Sequence, residues 1–265
     1  MTAHPPPRPP LDRERLAAVP SGRLSYDVDV LDETRSTNAV LTERARGGAA
    51  EGLVVVAEHQ TAGRGRLDRS WEVPARSGLT FSVLLRPPVA PARWPWLPLL
   101  TGLAVQGAVG IGSELKWPND LLIGERKVAG LLVELVDTPD GPAAVVGVGL
   151  NVSMTQEELP VPTATSLAIA GHDRNRTDLL IEILVELDRQ YAAWSSPGAG
   201  DELLRSSYSR HCATIGQLVR VELPGGDSFT GTAVDVDRSG RLVVRSGAET
   251  TVVGAGDVIH VRPAG

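Results

Sequence analysis

The segment Gly52–Glu58, GLVVVAE, leaves this chain few choices. A short β-branched run without a polar interruption is a buried strand. Leu79–Leu85, Lys127–Val136 (KVAGLLVELV) and Ala143–Val152 (AAVVGVGLNV) have the same texture, and Leu24–Asp32 alternates as a further strand. Glycines within Ala143–Val152 permit another group to approach the backbone closely. Helices are interleaved with these strands. Ser36 stands where an N-cap belongs, Ala39–Arg46 follows, and Gly47-Gly48 stops the helix. Trp96–Val109 reads as a buried helix. Thr177–Trp194 is the clearest helix, with Leu180, Ile183, Leu184, Leu187, Tyr191 and Trp194 on one face as core. Asp201–Tyr208 fits a last helix.

From about Ile215 the texture changes. Val219–Leu223, Phe229–Val236, Leu242–Val244, Thr251–Val253 and Val258–Val261 are short runs separated by PGG, RSG, SGAE and AGD turns. Four or five such strands in some fifty residues indicate a small barrel. The fold class is therefore α+β: a mixed-sheet domain over 23–212 and an all-β module over 213–265. Residues 1–22 read as a proline-rich flexible lead-in with one short helical piece near Leu11–Ala18.

Composition narrows the function classes. The 265 residues are 42% hydrophobic and 22% charged, enough for a real core. Lys+Arg number 26 and Asp+Glu 32, a net charge of −6, which disfavours sequence-independent nucleic-acid binding. The single cysteine, Cys212, excludes an intramolecular disulfide and a cysteine-based zinc site, and reads as a small buried hydrophobe. The five histidines show no i,i+4 pairing, so no histidine metal site is expected. The uncharged stretch between Arg93 and Glu114 holds two prolines and four glycines, too broken to span a bilayer. Nothing indicates export, so a cytoplasmic location is expected.

Five short motifs carry candidate chemistry. Gly63-Arg64-Gly65-Arg66-Leu67-Asp68-Arg69-Ser70-Trp71 places three arginines and two glycines in one loop. Arginine offers planar donors for carboxylate and phosphate, and glycine lets a loop come close and move. The loop reads either as a lid over a polyanion or as a solvated basic tract. Lys116-Trp117-Pro118-Asn119-Asp120 presents an amide and a carboxylate at a strand end, which is also an ordinary turn. Lys127 opens an apolar run, Ser36-Thr37-Asn38 begins a helix, and Gly147-Val148-Gly149-Leu150-Asn151 lacks the third glycine of a dinucleotide fingerprint. Each alone has a bland structural reading.

In order, STN, EHQTAGRGRxxRxW, KWPND, KVAGLLVE and GVGLN resemble the biotin protein ligases, from about Thr34 to Asn151. The C-terminal module fits that family's SH3-like barrel. The resemblance implies activation of biotin with ATP and Mg²⁺ as biotinyl-5′-AMP. Transfer to a lysine of a biotin carboxyl-carrier domain of acyl-CoA or pyruvate carboxylases would follow. It implies that Ser36, Thr37, Asn38 and Gln60 bind the biotin head group, whose ureido ring needs fixed donors and acceptors. Arg64, Gly65 and Arg66 would hold the carboxylate and then the adenylate phosphate, with Lys127 on the same oxygens. Lys116, Asn119, Asp120 and Asn151 would serve ATP and Mg²⁺, and Trp71 would pack the lid base or lie near the adenine. Gly63, Arg69 and Gly130 complete the expected site, with Arg64, Arg66 and Lys127 as the catalytic residues and no resident metal. Some twenty residues precede the first strand, too few for a helix-turn-helix domain. A monofunctional enzyme without specific DNA binding, monomeric or weakly dimeric, is therefore expected. Two alternatives are a lipoate or octanoate ligase or transferase of the same fold, and an RNA- or anion-binding module built on the GRGR loop.

Overall fold

A computed structural model of the chain describes residues 8–67, 69–110, 112–196, 200–223, 225–254 and 256–261. The first elements are α1 (Arg13–Ala17), β1 (Asp27–Leu31), α2 (Thr37–Arg46), β2 (Leu53–Ala57) and the two-residue strands β3 (Gly63–Arg64) and β4 (Ser70–Trp71). After them come β5 (Gly78–Leu85), α3 (Leu97–Val109), β6 (Ser113–Lys116), β7 (Asp120–Ile123), β8 (Arg126–Thr138) and β9 (Gly141–Asn151). Helices α4 (Arg176–Ser195) and α5 (Gly200–His211) lead to β10 (Leu218–Glu222), β11 (Ser228–Val236), β12 (Leu242–Ser246), β13 (Glu249–Val253) and β14 (Asp257–His260). No helix among the described residues is long and apolar enough to cross a membrane.

Seven strands form one sheet in the order β1-β2-β5-β9-β8-β7-β6, with β1 and β2 parallel and all other neighbours antiparallel. Val54 and Val56 point into a large core with Val83, Leu85 and the stripe of α4, whose six expected residues are all fully buried. Val55 points the other way, into a smaller cluster with Leu41 and Ala45 of α2, Leu84, Val136 and Val145. Both faces of the sheet are therefore covered, which is why its central strands are continuous apolar runs instead of alternating ones. Helix α2 starts at Thr37, two residues earlier than the sequence reading, with Ser36 as its N-cap.

The expectation of a flexible lead-in over 1–22 is corrected from residue 8 onward; residues 1–7 lie outside the described residues. Leu11, Leu16 and Val19 are buried, and α1 packs on α4. The clamp is polar. Arg176, the first residue of α4, pairs with Glu58 at 2.7 Å and donates to the Pro9 carbonyl at 2.8 Å. Glu58 also accepts from the Leu11 amide at 2.6 Å. Composition suggested a tail because six prolines obscure three well-spaced leucine and valine anchors.

Strands β10–β14 form a separate antiparallel sheet in the order β13-β12-β11-β10-β14. Two indoles fasten it to the first unit: Trp96 Nε1 donates to the Arg238 carbonyl at 2.8 Å and Trp117 Nε1 to the Gly240 carbonyl at 3.1 Å. The Trp117 amide also donates to Thr214 Oγ1 at 3.1 Å. Cys212 is buried and free, and burial pushes its thiol pKa up, consistent with an inert packing residue.

The side chains of Glu58 and Arg176 are only 5% and 6% exposed. Removing one partner strands the other charge in the core, at a typical cost of ~3–5 kcal/mol. Glu58→Gln should lose stability on that scale in urea unfolding, with increased hydrogen exchange over residues 8–19. A change below ~1 kcal/mol would show that water already relieves the pair.

Candidate active site

The cavity arises where the sheet carries no side chains. Gly130 of β8 pairs with Gly149 of β9, and Gly149 pairs with Thr80 of β5. Gly147 pairs with Ser82 on one side and Leu132 on the other. These residues share the face that α2 covers further along, through Leu84 and Val145. Beyond the reach of α2 the glycines leave a floor instead of a core. A Cβ at Gly149 would lie 2.3 Å from Trp71 Cε2, and one at Gly147 would lie 2.1 Å from Asn38 Oδ1. Those glycines are required by contact, as close approach to a backbone demands. Above the floor is a cavity of about 670 Å³.

All but one of the sixteen expected site residues line this cavity; Gly63 is buried behind it. They fall into two groups. The first surrounds the start of α2, where Ser36, Thr37 and Asn38 are all buried. Gln60 Oε1 accepts from the Thr37 amide at 2.7 Å and from its hydroxyl at 3.1 Å. Ser82 Oγ lies 2.6 Å from Asn38 Oδ1 and 2.8 Å from Thr37 Oγ1. The Asn38 amide donates to Glu134 Oε2 at 2.7 Å. This network fixes the direction of the Thr37, Asn38 and Gln60 side chains, as recognition of a small polar ring requires.

The second group holds two lysines with amides and a carboxylate, and gathers around one row of the sheet. Lys116 pairs with Asp120, and Asp120 with Gly130. Lys127 Nζ is 2.6 Å from Asp120 Oδ1 and 5.7 Å from the centroid of the Trp71 ring. The Asp120 contact is an ion pair without hydrogen-bond alignment, and Oδ1 has no hydrogen-bond partner among the described residues. Burial pushes the Lys116 pKa down, opposed by the nearby Asp120 carboxylate. Asn119 is held by its own amide on the Leu131 carbonyl at 2.7 Å. Asn151 is buried and donates to the Thr165 carbonyl at 2.9 Å.

The arginine loop joins the two groups. The sequence read Gln60–Ser70 as one loop, yet Gly63 and Arg64 pair with Trp71 and Ser70 as a short ribbon. Asp68 lies outside the described residues. Arg64 donates to Glu134 Oε2 at 3.1 Å. Arg66 donates to Asn119 Oδ1 at 3.1 Å and to the Gly256 carbonyl at 3.1 Å, while Arg69 pairs with Asp257. Each arginine thus rests on a resident acceptor, although Arg64 and Arg69 remain half or more exposed to solvent.

Sequence reasoning missed five contributors. Ser82 was detectable as the polar residue in the apolar run FSVLL. Glu134 closes the motif KVAGLLVE but was not singled out. Glu222, Asp257 and Ile259 reach the cavity from the C-terminal sheet, and no local signal marks them, since AGD reads as a turn.

The comparisons agree with this geometry. Residues 30–151 match the model of the biotin/lipoate A/B protein ligase family, and residues 214–261 match the biotin protein ligase C-terminal domain. A biotin–[acetyl-CoA-carboxylase] ligase of Mycobacterium tuberculosis is 43% identical, with 96% of this chain and 97% of that one aligned. The chain belongs to the biotin protein ligase family. The bifunctional ligase/repressor of Bacillus subtilis is 36% identical over 82% of this ligase and 68% of its own length. Among solved structures, the ligase superposes on the Aquifex aeolicus biotin protein ligase in complex with biotin and ATP. The TM-score is 0.76 at 30% identity, covering 89% of this chain and 99% of that one. The RNA-binding and lipoate readings are not favoured by these relatives.

Asp257 faces both Arg66, at 3.8 Å, and Arg69. Asp257→Asn should free the loop in the empty ligase. Amide exchange over 63–67 should rise severalfold at low salt, with the melting temperature unchanged, since a partly exposed ion pair contributes ~0–1 kcal/mol. An unchanged exchange pattern would show that the ribbon alone holds the loop.

Proposed function

We propose that this ligase activates biotin with ATP and transfers it to a lysine of a biotin carboxyl-carrier domain. The observation that carries the reading is the single cavity that holds both groups of residues. A buried hydroxyl and amide network suits a ureido ring, and the cations beside it suit a carboxylate meeting a triphosphate. The arginine loop spans the two.

In the first step, a biotin carboxylate oxygen attacks the α-phosphorus of ATP, and the bond to the pyrophosphate oxygen breaks. Two anions must meet, so the site has to supply positive charge before reaction. Arg64, Arg66, Lys116 and Lys127 supply it. In the second step, an acceptor lysine amine attacks the mixed anhydride carbonyl, expels AMP and releases a proton. The adenylate is lost to water if exposed, which gives the arginine loop its purpose as a cover. No protein nucleophile is needed. Mg²⁺ in such a reaction is held largely by phosphate oxygens with one or two carboxylates. Asp120 fits, because its buried Oδ1 has no hydrogen-bond partner and is met only by the Lys127 ammonium, which could turn to a phosphate oxygen once ATP is bound.

Residues 23–212 are assigned to the catalytic unit and 213–265 to an SH3-like module that completes the cavity. A cytoplasmic location fits a reaction that consumes ATP and a chain whose only thiol is free and buried.

Mass spectrometry of a carrier domain after incubation with the ligase and ATP tests the reading. Addition of a biotinyl group and none of lipoyl is expected; lipoyl addition, or no modification with any carrier tried, overturns it. Lys127→Ala should slow pyrophosphate release ~100- to 1,000-fold at saturating ATP and biotin, the scale of a lost preorganised charge of ~2.7–4 kcal/mol. Lys127→Arg should rescue only in part, because a planar fork does not replace a compact ammonium. A Lys127→Ala rate within about threefold of wild type, the ~0.5 kcal/mol scale of a neutral surface change, would remove Lys127 from the reacting centre.

A further inference from the structure

Among the described residues, Glu134 is the acidic side chain that hydrogen-bonds both the polar network and the arginine loop. It lies on β8, on the cavity face, opposite Val145 and two residues beyond Leu132. Its Oε2 accepts from Asn38 Nδ2 at 2.7 Å and from Arg64 Nη2 at 3.1 Å. The carboxylate is 29% exposed and the Arg64 side chain 50%. The other end of Asn38 is fixed as well, with Oδ1 2.6 Å from Ser82 Oγ and against Gly147.

We propose that Glu134 is a positioning residue, tying the Asn38 amide and the Arg64 guanidinium to one oxygen so that seating of biotin and placement of the arginine loop are linked. This rests on the reading of the cavity as the biotin site.

The argument is one of geometry and charge. An asparagine amide has two donors and one acceptor oxygen, and flipping it would reverse the pattern offered to a ligand. Ser82 on one side and an acceptor-only carboxylate on the other permit a single orientation. Arginine carries five donors. With Nη2 held by Glu134, the rest of the fork is left for an incoming carboxylate. The loop would otherwise have to be ordered from solvent at the moment of binding, an entropic cost that preorganisation lowers. A neutral acceptor would do this less well, because charge-assisted hydrogen bonds are roughly twice as strong. Were Glu134 a competitor for Arg64 instead, its removal would tighten binding.

The test uses the full chain and the isosteric Glu134→Gln variant. Biotin affinity measured by calorimetry without ATP should fall about three- to tenfold, a partly screened charged hydrogen bond. The KM for ATP should stay within about twofold, a change too small to mark a lost contact. Amide exchange over 63–67 in the empty protein should rise, an effect that does not depend on what the cavity binds. In an Arg64→Ala background the same substitution should cost less than half as much on a logarithmic scale. Biotin affinity unchanged or increased in Glu134→Gln, while wild type binds biotin, overturns the role of Glu134. An equal cost with and without Arg64 overturns it too, because Glu134 would then act on the fold at large. Wild type that binds no biotin overturns the reading of the cavity as well, and the exchange measurement separates that failure from a loss of the Arg64 contact.

Discussion

A sheet covered on both faces has room for a binding site only where it lacks side chains. That constraint organises this molecule. Helix α2 fills one stretch of its face through Leu41 and Ala45. Where α2 ends, Gly130, Gly147 and Gly149 stand as neighbours on β8 and β9. A side chain at Gly147 would collide with Asn38 and one at Gly149 with Trp71, while one at Gly130 would press on the end of Lys127. The glycines therefore decide that the cavity exists, and the N-terminus of α2 decides what polar groups look into it.

Charge is the second organiser. A site for two anions must concentrate cations, and cations close together repel. Here four have a resident acceptor: Asp120 for Lys127, Glu134 for Arg64, Asn119 for Arg66 and Asp257 for Arg69. These come from β7, β8, the turn before β7, and β14. The C-terminal sheet is thus part of the site, fastened by Trp96 and Trp117 and contributing an acceptor to the arginine loop. The net charge of −6 does not conflict with a cationic pocket, since charge acts locally once paired and partly buried.

The buried pair Glu58–Arg176 belongs to the same arrangement. It lies at the end of β2, two residues before Gln60, and holds the start of α4 and the segment around Leu11 together. From that anchored end the chain runs through Gln60, which is hydrogen-bonded to Thr37, and then into the arginine ribbon. Loop placement is thereby tied to a rigid point in the core.

Much of this was legible in the sequence. Val54–Val56 could only be a covered strand, the α4 stripe could only be core, and the glycines of GVGLN signalled close approach. The motif residues are good donors to carboxylate and phosphate, but each motif alone had a bland reading, and the chemistry followed from the resemblance of their ordered set to the biotin protein ligases. Which residues meet across the sheet was decided only by tertiary structure. Strand register put Lys116, Asp120, Gly130 and Gly149 in one row, and register depends on long-range pairing that no local pattern encodes. The packing of Leu11, Leu16 and Val19 was hidden for a similar reason. Three anchors among prolines become core only when α4 and the Glu58–Arg176 pair are present to receive them. Glu134 and Asp257 were anonymous acids in the sequence. The folded chain set them against Arg64 and Arg69, because contact between residues 70 and 188 positions apart is a property of the fold and not of the segment.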